Sequence, residues 1–188
     1  MVNVLKVENK EEFRLWLKDN HLKEKECWIE LKRGKPINNN VFYYLDAVEV
    51  ALCFGWIDSV YKKIDGKTYS KFTPRRKNSP WTELNKERVR RLIKLNLMDE
   101  SGLKVLPDMR ISSFKIDKDL VKALKENRVY SKFKSFPSLY QRVRAYNVTF
   151  YKSWNKELYE KALSHLIECT KNNKMFGEWN DYGRLLDY

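Results

Sequence analysis

The chain is poor in the residues that usually announce chemistry. Its two histidines, His21 and His165, stand apart, with no HxH or HExxH spacing and no paired-carboxylate cluster, so no metal centre is expected. Three cysteines, Cys27, Cys53 and Cys169, are odd in number, widely spaced and without a CxxC pair. That pattern argues against a disulfide framework or a zinc knuckle and predicts reduced, mostly buried thiols. The six glycines form neither GxGxxG nor GxxxxGK, so nucleotide hydrolysis has no support and no cofactor is expected. Apolar runs are only a few residues long, and the opening MVNVLKVENKEEF lacks the long apolar centre of an export signal. Neither a membrane span nor secretion is expected, and a cytoplasmic location is the simplest reading.

What is present is aromatic and basic. The 188 residues are enough for one hydrophobic core, or for a core with a helical extension, and 43% hydrophobic with 14% aromatic residues predict a folded, soluble protein. The net charge of +13 is unevenly placed. Lys62 to Lys94 carries twelve Lys/Arg against Asp65, Glu83 and Glu87, and Asn127 to Lys156 carries seven with no acid, so the remainder is slightly negative. Such a split predicts basic faces that attract nucleic acid, anionic lipid headgroups or an acidic ligand, although any single lysine is by default a solvated surface residue.

The apolar periodicity divides the chain. Val2 to Val7 reads as a short strand, and Asn9 with Glu12 reads as a capping box opening a helix that buries Phe13, Trp16 and Leu17. From Cys27 to Lys32 the period-2 alternation of Cys27, Ile29 and Leu31 predicts a half-buried strand, followed by the loop GKPINNN. Asp46 is expected to cap a helix through Phe54, stopped by Gly55 in a left-handed conformation. Asp65-Gly66 predicts a two-residue hairpin turn in which Lys62 faces Tyr69, Val60 faces Lys71 and Ser59 faces Phe72. That register sets Val60, Lys62, Tyr69 and Lys71 on one side and Tyr61, Ser70 and Phe72 on the other. Pro74 ends the strand, and Ser79-Pro80 is expected to open a helix whose stripe is Trp81, Leu84, Arg88 and Leu92. After Asp117 the pattern is helical throughout, interrupted at Phe136-Pro137. These signals predict an α+β fold: a small, mainly antiparallel sheet with packed helices over residues 1–115, and a helical C-terminal subdomain over 116–188, joined at SSFKID.

The block from Ala51 to Trp81 concentrates the candidate site: Trp56, Asp58, Tyr69, Phe72, Arg75, Arg76, Lys77 and Trp81. The basic turn Arg75-Arg76-Lys77 lies between a strand end and a helix start, where guanidinium donors and free N–H groups converge on an anion, while Trp81 and Phe72 offer planar faces. The structural alternative is one arginine paired with Asp58 to lock the hairpin while the others face water. Asp58 beside Trp56 would serve as a general base only if burial raised its pKa against the neighbouring arginines. Cys53, near a helix C-terminus that disfavours a thiolate, reads as a core thiol.

Three blocks, ALCFGWIDS (51–59), FTPRRKNSPW (72–81) and NKERVRRLIKLNLMDESGL (85–103), resemble in order and spacing the signature of the YdeI/OmpD-associated family, also called bacteriocin-protection proteins. The segment from Leu120 through Phe136-Pro137 and Arg142 resembles that family's C-terminal part, whereas Tyr146-Asn147, Trp154 to Glu157 and the tail NKMFGEWNDYGRLLDY depart from it. The resemblance implies a small cytoplasmic bacterial protein linked to survival under bacteriocins and cationic antimicrobial peptides; it assigns no chemistry. The expected function is binding of an anionic small molecule in an aromatic, cationic cleft, with nucleic-acid binding and an enzyme of unknown reaction at the same cleft as the alternatives.

Overall fold

The structure, a computed structural model, describes residues 3–38 and 40–188. It is an α+β fold that divides into two compact units, one of Met1–Pro80, Arg88–Pro107 and Tyr188, the other of Trp81–Glu87 and Asp108–Asp187.

In the first unit, four strands run in the order β1-β2-β4-β3, where β1 is Val4–Leu5, β2 Cys27–Glu30, β3 Trp56–Ile64 and β4 Lys67–Pro74. β1 pairs parallel with β2, and the other pairings are antiparallel. Val2, expected to begin the first strand, lies outside the described residues. Alternation in β2 and β4 sends Cys27, Ile29, Ser70 and Phe72 to one face, all almost fully buried. Helix α1, Lys10–Asn20, covers that face, with the Phe13 ring 5.4 Å from Phe72 and Trp16 edge-on to Trp56 at 5.9 Å. Its start is the expected capping box: the Glu12 amide donates to Asn9 Oδ1 at 2.9 Å, and the Glu12 carboxylate accepts from Asn9 Nδ2 and from the Glu8 amide. On the opposite face Trp28 is covered by the ammonium groups of Lys62 and Lys71, 5.5 and 5.8 Å from its ring, and Lys71 also pairs with Glu26.

Asp65 (φ +48°) and Gly66 (φ +76°) form the predicted hairpin turn, with Lys62 opposite Tyr69. Beyond Tyr61 the expected register fails. Ser59 and Val60 together span the interval that Lys71 alone spans on β4, so Phe72 faces Asp58 instead of Ser59, and Val60 has no partner at Lys71. This bulge has a physical cause. An unbroken register would place Trp56 and Asp58 on the face of Tyr69 and Lys71, whereas the extra residue turns Trp56, with no exposed surface, into the core.

Two helix starts also differ from expectation. Helix α2, Tyr44–Cys53, begins two residues before Asp46, which sits in the first turn as a favourable charge instead of capping. Helix α3, Glu83–Lys94, begins after Pro80 because Thr82 Oγ1 accepts the Asn85 amide at 3.1 Å, while Ser79 is used to close the turn onto the Arg76 carbonyl. Trp81 therefore precedes the helix. Gly55 (φ +72°) follows α2 as expected. Helix α4, Glu100–Lys104, packs on the end of α2 through Gly102, where a Cβ would lie 2.1 Å from the Cys53 carbonyl oxygen.

In the second unit, helices α5 (Lys118–Glu126), α6 (Tyr130–Ser135), α7 (Ser138–Phe150) and α8 (Lys156–Lys171) surround a core that includes Leu120, Leu124, Phe133, Tyr140, Val143 and Leu166. Trp179 and Leu185 of the tail complete it. Phe150, at the end of the predicted α7 stripe, is 44% exposed. Arg142 lies buried between carboxylates, donating to Glu87 Oε2 at 2.7 Å and Glu83 Oε2 at 3.3 Å, and to Ser138 Oγ at 2.9 Å. Replacing Gly102 by Ala should cost about 1–3 kcal/mol by urea denaturation, because the obstructing atom is backbone and the α2–α4 contact must open.

Candidate functional site

The expected site residues separate by environment. Trp56 and Phe72 are fully buried; Trp56 packs on Trp16 and donates its indole N–H to the His21 carbonyl at 3.1 Å, so neither aromatic has a face to offer a ligand. The Arg75 amide donates to the Gly55 carbonyl at 2.9 Å, bringing the basic turn beside the start of β3, and the Arg75 guanidinium donates to the Pro80 carbonyl at 2.7 Å. Arg76 and Lys77 are exposed, and Arg76 contributes its carbonyl to the turn. Tyr69 is half-buried opposite Lys62 and Glu30. Trp81 belongs to the other compact unit.

Asp58 is the member that the fold places in a built polar arrangement. Because the bulge turns it toward α2, its Oδ2 accepts a 2.5 Å hydrogen bond from the Tyr44 hydroxyl. The Tyr44 ring carries the Arg33 guanidinium at 4.2 Å, and the same guanidinium lies 4.7 Å from the Tyr61 ring. Two aromatic faces thus hold one planar cation. Among the described residues no hydrogen bond or ion pair occupies the Arg33 N–H groups. Arg33 also lines a cleft of about 640 Å³ between the loop after β2 and the hairpin turn, with Lys32, Lys67, Thr68 and Glu30 on its walls and Phe42 among its apolar residues. The Lys67 ammonium is engaged by Glu30 at 2.8 Å. The Lys32 ammonium lies 6.0 Å from the Tyr43 ring, whereas Arg33 is held between two rings with open donors among the described residues.

Burial, the nearby Asp58 charge and the hydrogen bond to it raise the Tyr44 pKa, and Arg88 and Arg33 pull it partly back. The folded protein therefore keeps the Tyr44 proton at a pH where an unfolded tyrosine, near 10, loses it. The corresponding stability is fully present below about pH 10 and is lost as pH rises through the higher folded value. The same desolvation acts on two thiols: burial, with Glu24 and Glu26 nearby, pushes Cys27 up to about 12, and burial also raises Cys53; all three cysteines are free and buried.

Arg33, Tyr44 and Lys32 are the residues that the sequence patterns did not single out. The available signal was faint: a basic pair closing a strand, and a tyrosine in the first turn of the next helix. Tyr44→Phe should cost about 1–3 kcal/mol in denaturant unfolding at neutral pH, since it leaves a half-buried carboxylate without its donor. Above pH 10 the variant should lose stability less steeply than wild type.

No curated protein and no solved structure matches the chain. One family model, described as Domain of unknown function (DUF8412), matches residues 5–105 of the 188, a span that holds strands β2 to β4, the Tyr44–Asp58 pair and Arg33, and the chain belongs to that family.

Proposed function

We propose that the protein binds a small anionic ligand in the cleft lined by Arg33, with the guanidinium as the anchoring donor. The observation that carries this reading is the cation held between Tyr44 and Tyr61 with its N–H edge uncommitted among the described residues. An aromatic ring satisfies no N–H group, so the guanidinium donors are left for a carboxylate or phosphate, which they can meet bidentately. The apolar Leu31, Val41 and Phe42 beside the cationic edge suit a ligand with an organic body. The setting we propose is the one that the resemblance to the YdeI/OmpD-associated family implies: a cytoplasmic bacterial protein concerned with resistance to bacteriocins and cationic antimicrobial peptides. An enzyme at the same site is the second reading, favoured by the 2.5 Å Tyr44–Asp58 contact, in which a phenol kept protonated is positioned as a proton donor.

Nucleic-acid binding through the 127–156 segment has weaker support. Of its seven cations, Arg142 meets Glu83 and Glu87, Lys152 meets Asp117 and Asp119, Lys156 meets Glu160, Lys134 meets Gln141 and Lys132 meets the Lys171 carbonyl. Charges held in this way are not spread along a phosphate track.

Calorimetric titration of wild type and variants with inorganic phosphate, a small dicarboxylate and a nucleoside monophosphate tests the proposal. Arg33→Met should weaken binding roughly ten- to a hundredfold with the fold intact, the loss of a charge-assisted contact, and Arg33→Lys should not restore it. Arg76→Met should leave it unchanged. Loss of binding in Arg76→Met alone would move the site to the basic turn. Steeply salt-dependent binding of short oligonucleotides, with none of the small anions, would replace the ligand by nucleic acid.

A further inference from the structure

We infer that Arg144 forms a second anion site, within the helical unit, that takes a carboxylate or phosphate group. The inference does not rest on the cleft at Arg33, because it concerns a different unit and different residues. Arg144 lies on α7 two residues after Arg142, and the two guanidinium groups are treated in opposite ways. Arg142 is buried against two glutamates. Arg144 is partly buried, yet among the described residues it has neither a hydrogen bond nor an ion pair, and its Nε is fully enclosed without a partner. The stretch from Asn127 to Lys156 contains no acidic residue to supply one locally.

What Arg144 has instead is a clamp. Its guanidinium carbon lies 4.9 Å from the Phe176 ring centroid and 5.9 Å from that of Tyr140. On a further side the tail backbone passes so close at Gly177 (φ +68°) that a Cβ there would lie 2.7 Å from one terminal nitrogen. Phe176 and Gly177 belong to the tail segment, and Tyr140 to α7, so tail and helix together hold the cation in one place. Withdrawing a guanidinium from water with no acceptor is costly, and burial accordingly pulls the Arg144 pKa down. An oxyanion accepting from the terminal nitrogens supplies the missing charge and acceptors together. The rings satisfy no N–H group, so the terminal donors are left for the ligand.

The test uses the ¹⁵N-labelled full chain. The Arg144 Nε–H resonance is followed while sodium phosphate or sodium acetate is added, each compared with sodium chloride at equal ionic strength. A saturable shift with phosphate or acetate but not with chloride is expected, and the anion that produces it states which chemistry the site takes. Followed at the Gly177 backbone amide, which every variant retains beside position 144, apparent affinity should fall at least tenfold in Arg144→Lys, disappear in Arg144→Met and be unchanged in Arg33→Met, which separates this site from the cleft. A shift that never saturates, or that chloride reproduces, would overturn the inference and leave a solvated guanidinium. Equal stabilisation of wild type and Arg144→Met by phosphate would do the same. Should the variants fail to fold, the wild-type Nε titration decides by itself.

Discussion

The sheet depends on one extra residue in β3. Side chains alternate with a strict period of two, so a single residue inserted between Asp58 and Tyr61 reverses the facing of everything before it in the strand. The segment after the bulge keeps the hairpin's own pairing, with Lys62 opposite Tyr69; the segment before it is reset so that Trp56 lies in the core and Asp58 under α2. Burying an indole is worth several kcal/mol, more than the ladder contacts a bulge gives up. The Tyr44–Asp58 hydrogen bond, and hence the anchoring of Tyr44 beneath Arg33, follows from that choice.

Charge is divided between internal and open uses. Much of the positive charge of the 127–156 segment is matched within the protein, and Arg142 is the extreme case, with two carboxylates around a buried guanidinium. Removing one partner from such a group is expensive, whereas the net contribution of the whole arrangement is small, so it specifies which residues meet more than it stabilises them. Arg91 with Glu49 and Lys71 with Glu26 serve the first unit in a similar way. Against this background Arg33 and Arg144 stand out among the arginines, because aromatic rings, which satisfy no N–H group, hold them in position.

Much of the fold was legible in the residues alone, and for reasons confined to a few neighbours. The Asn9–Glu12 capping box, the Asp65-Gly66 turn, the stop at Gly55 and the alternation of Cys27, Ile29 and Leu31 each depend on local backbone preference and hydrogen bonding, which short sequence windows contain. The helix starts at Tyr44 and Glu83 were displaced from Asp46 and Pro80 because more than one nearby residue can begin a helix, and packing selects among them.

The site was legible only in part. Sequence by itself determined that aromatic and cationic residues crowd between Ala51 and Trp81, and that Asp58 lies among them, since composition and strand pattern are properties of the chain. Only the tertiary structure decided that Trp56 and Phe72 are core, that the bulge turns Asp58 to Tyr44, and that Arg33, twenty-five residues earlier, shares their neighbourhood. Those outcomes depend on which face of a strand is buried and on contacts across strands distant in sequence, and a register slip of one residue, invisible to local periodicity, is sufficient to reverse them.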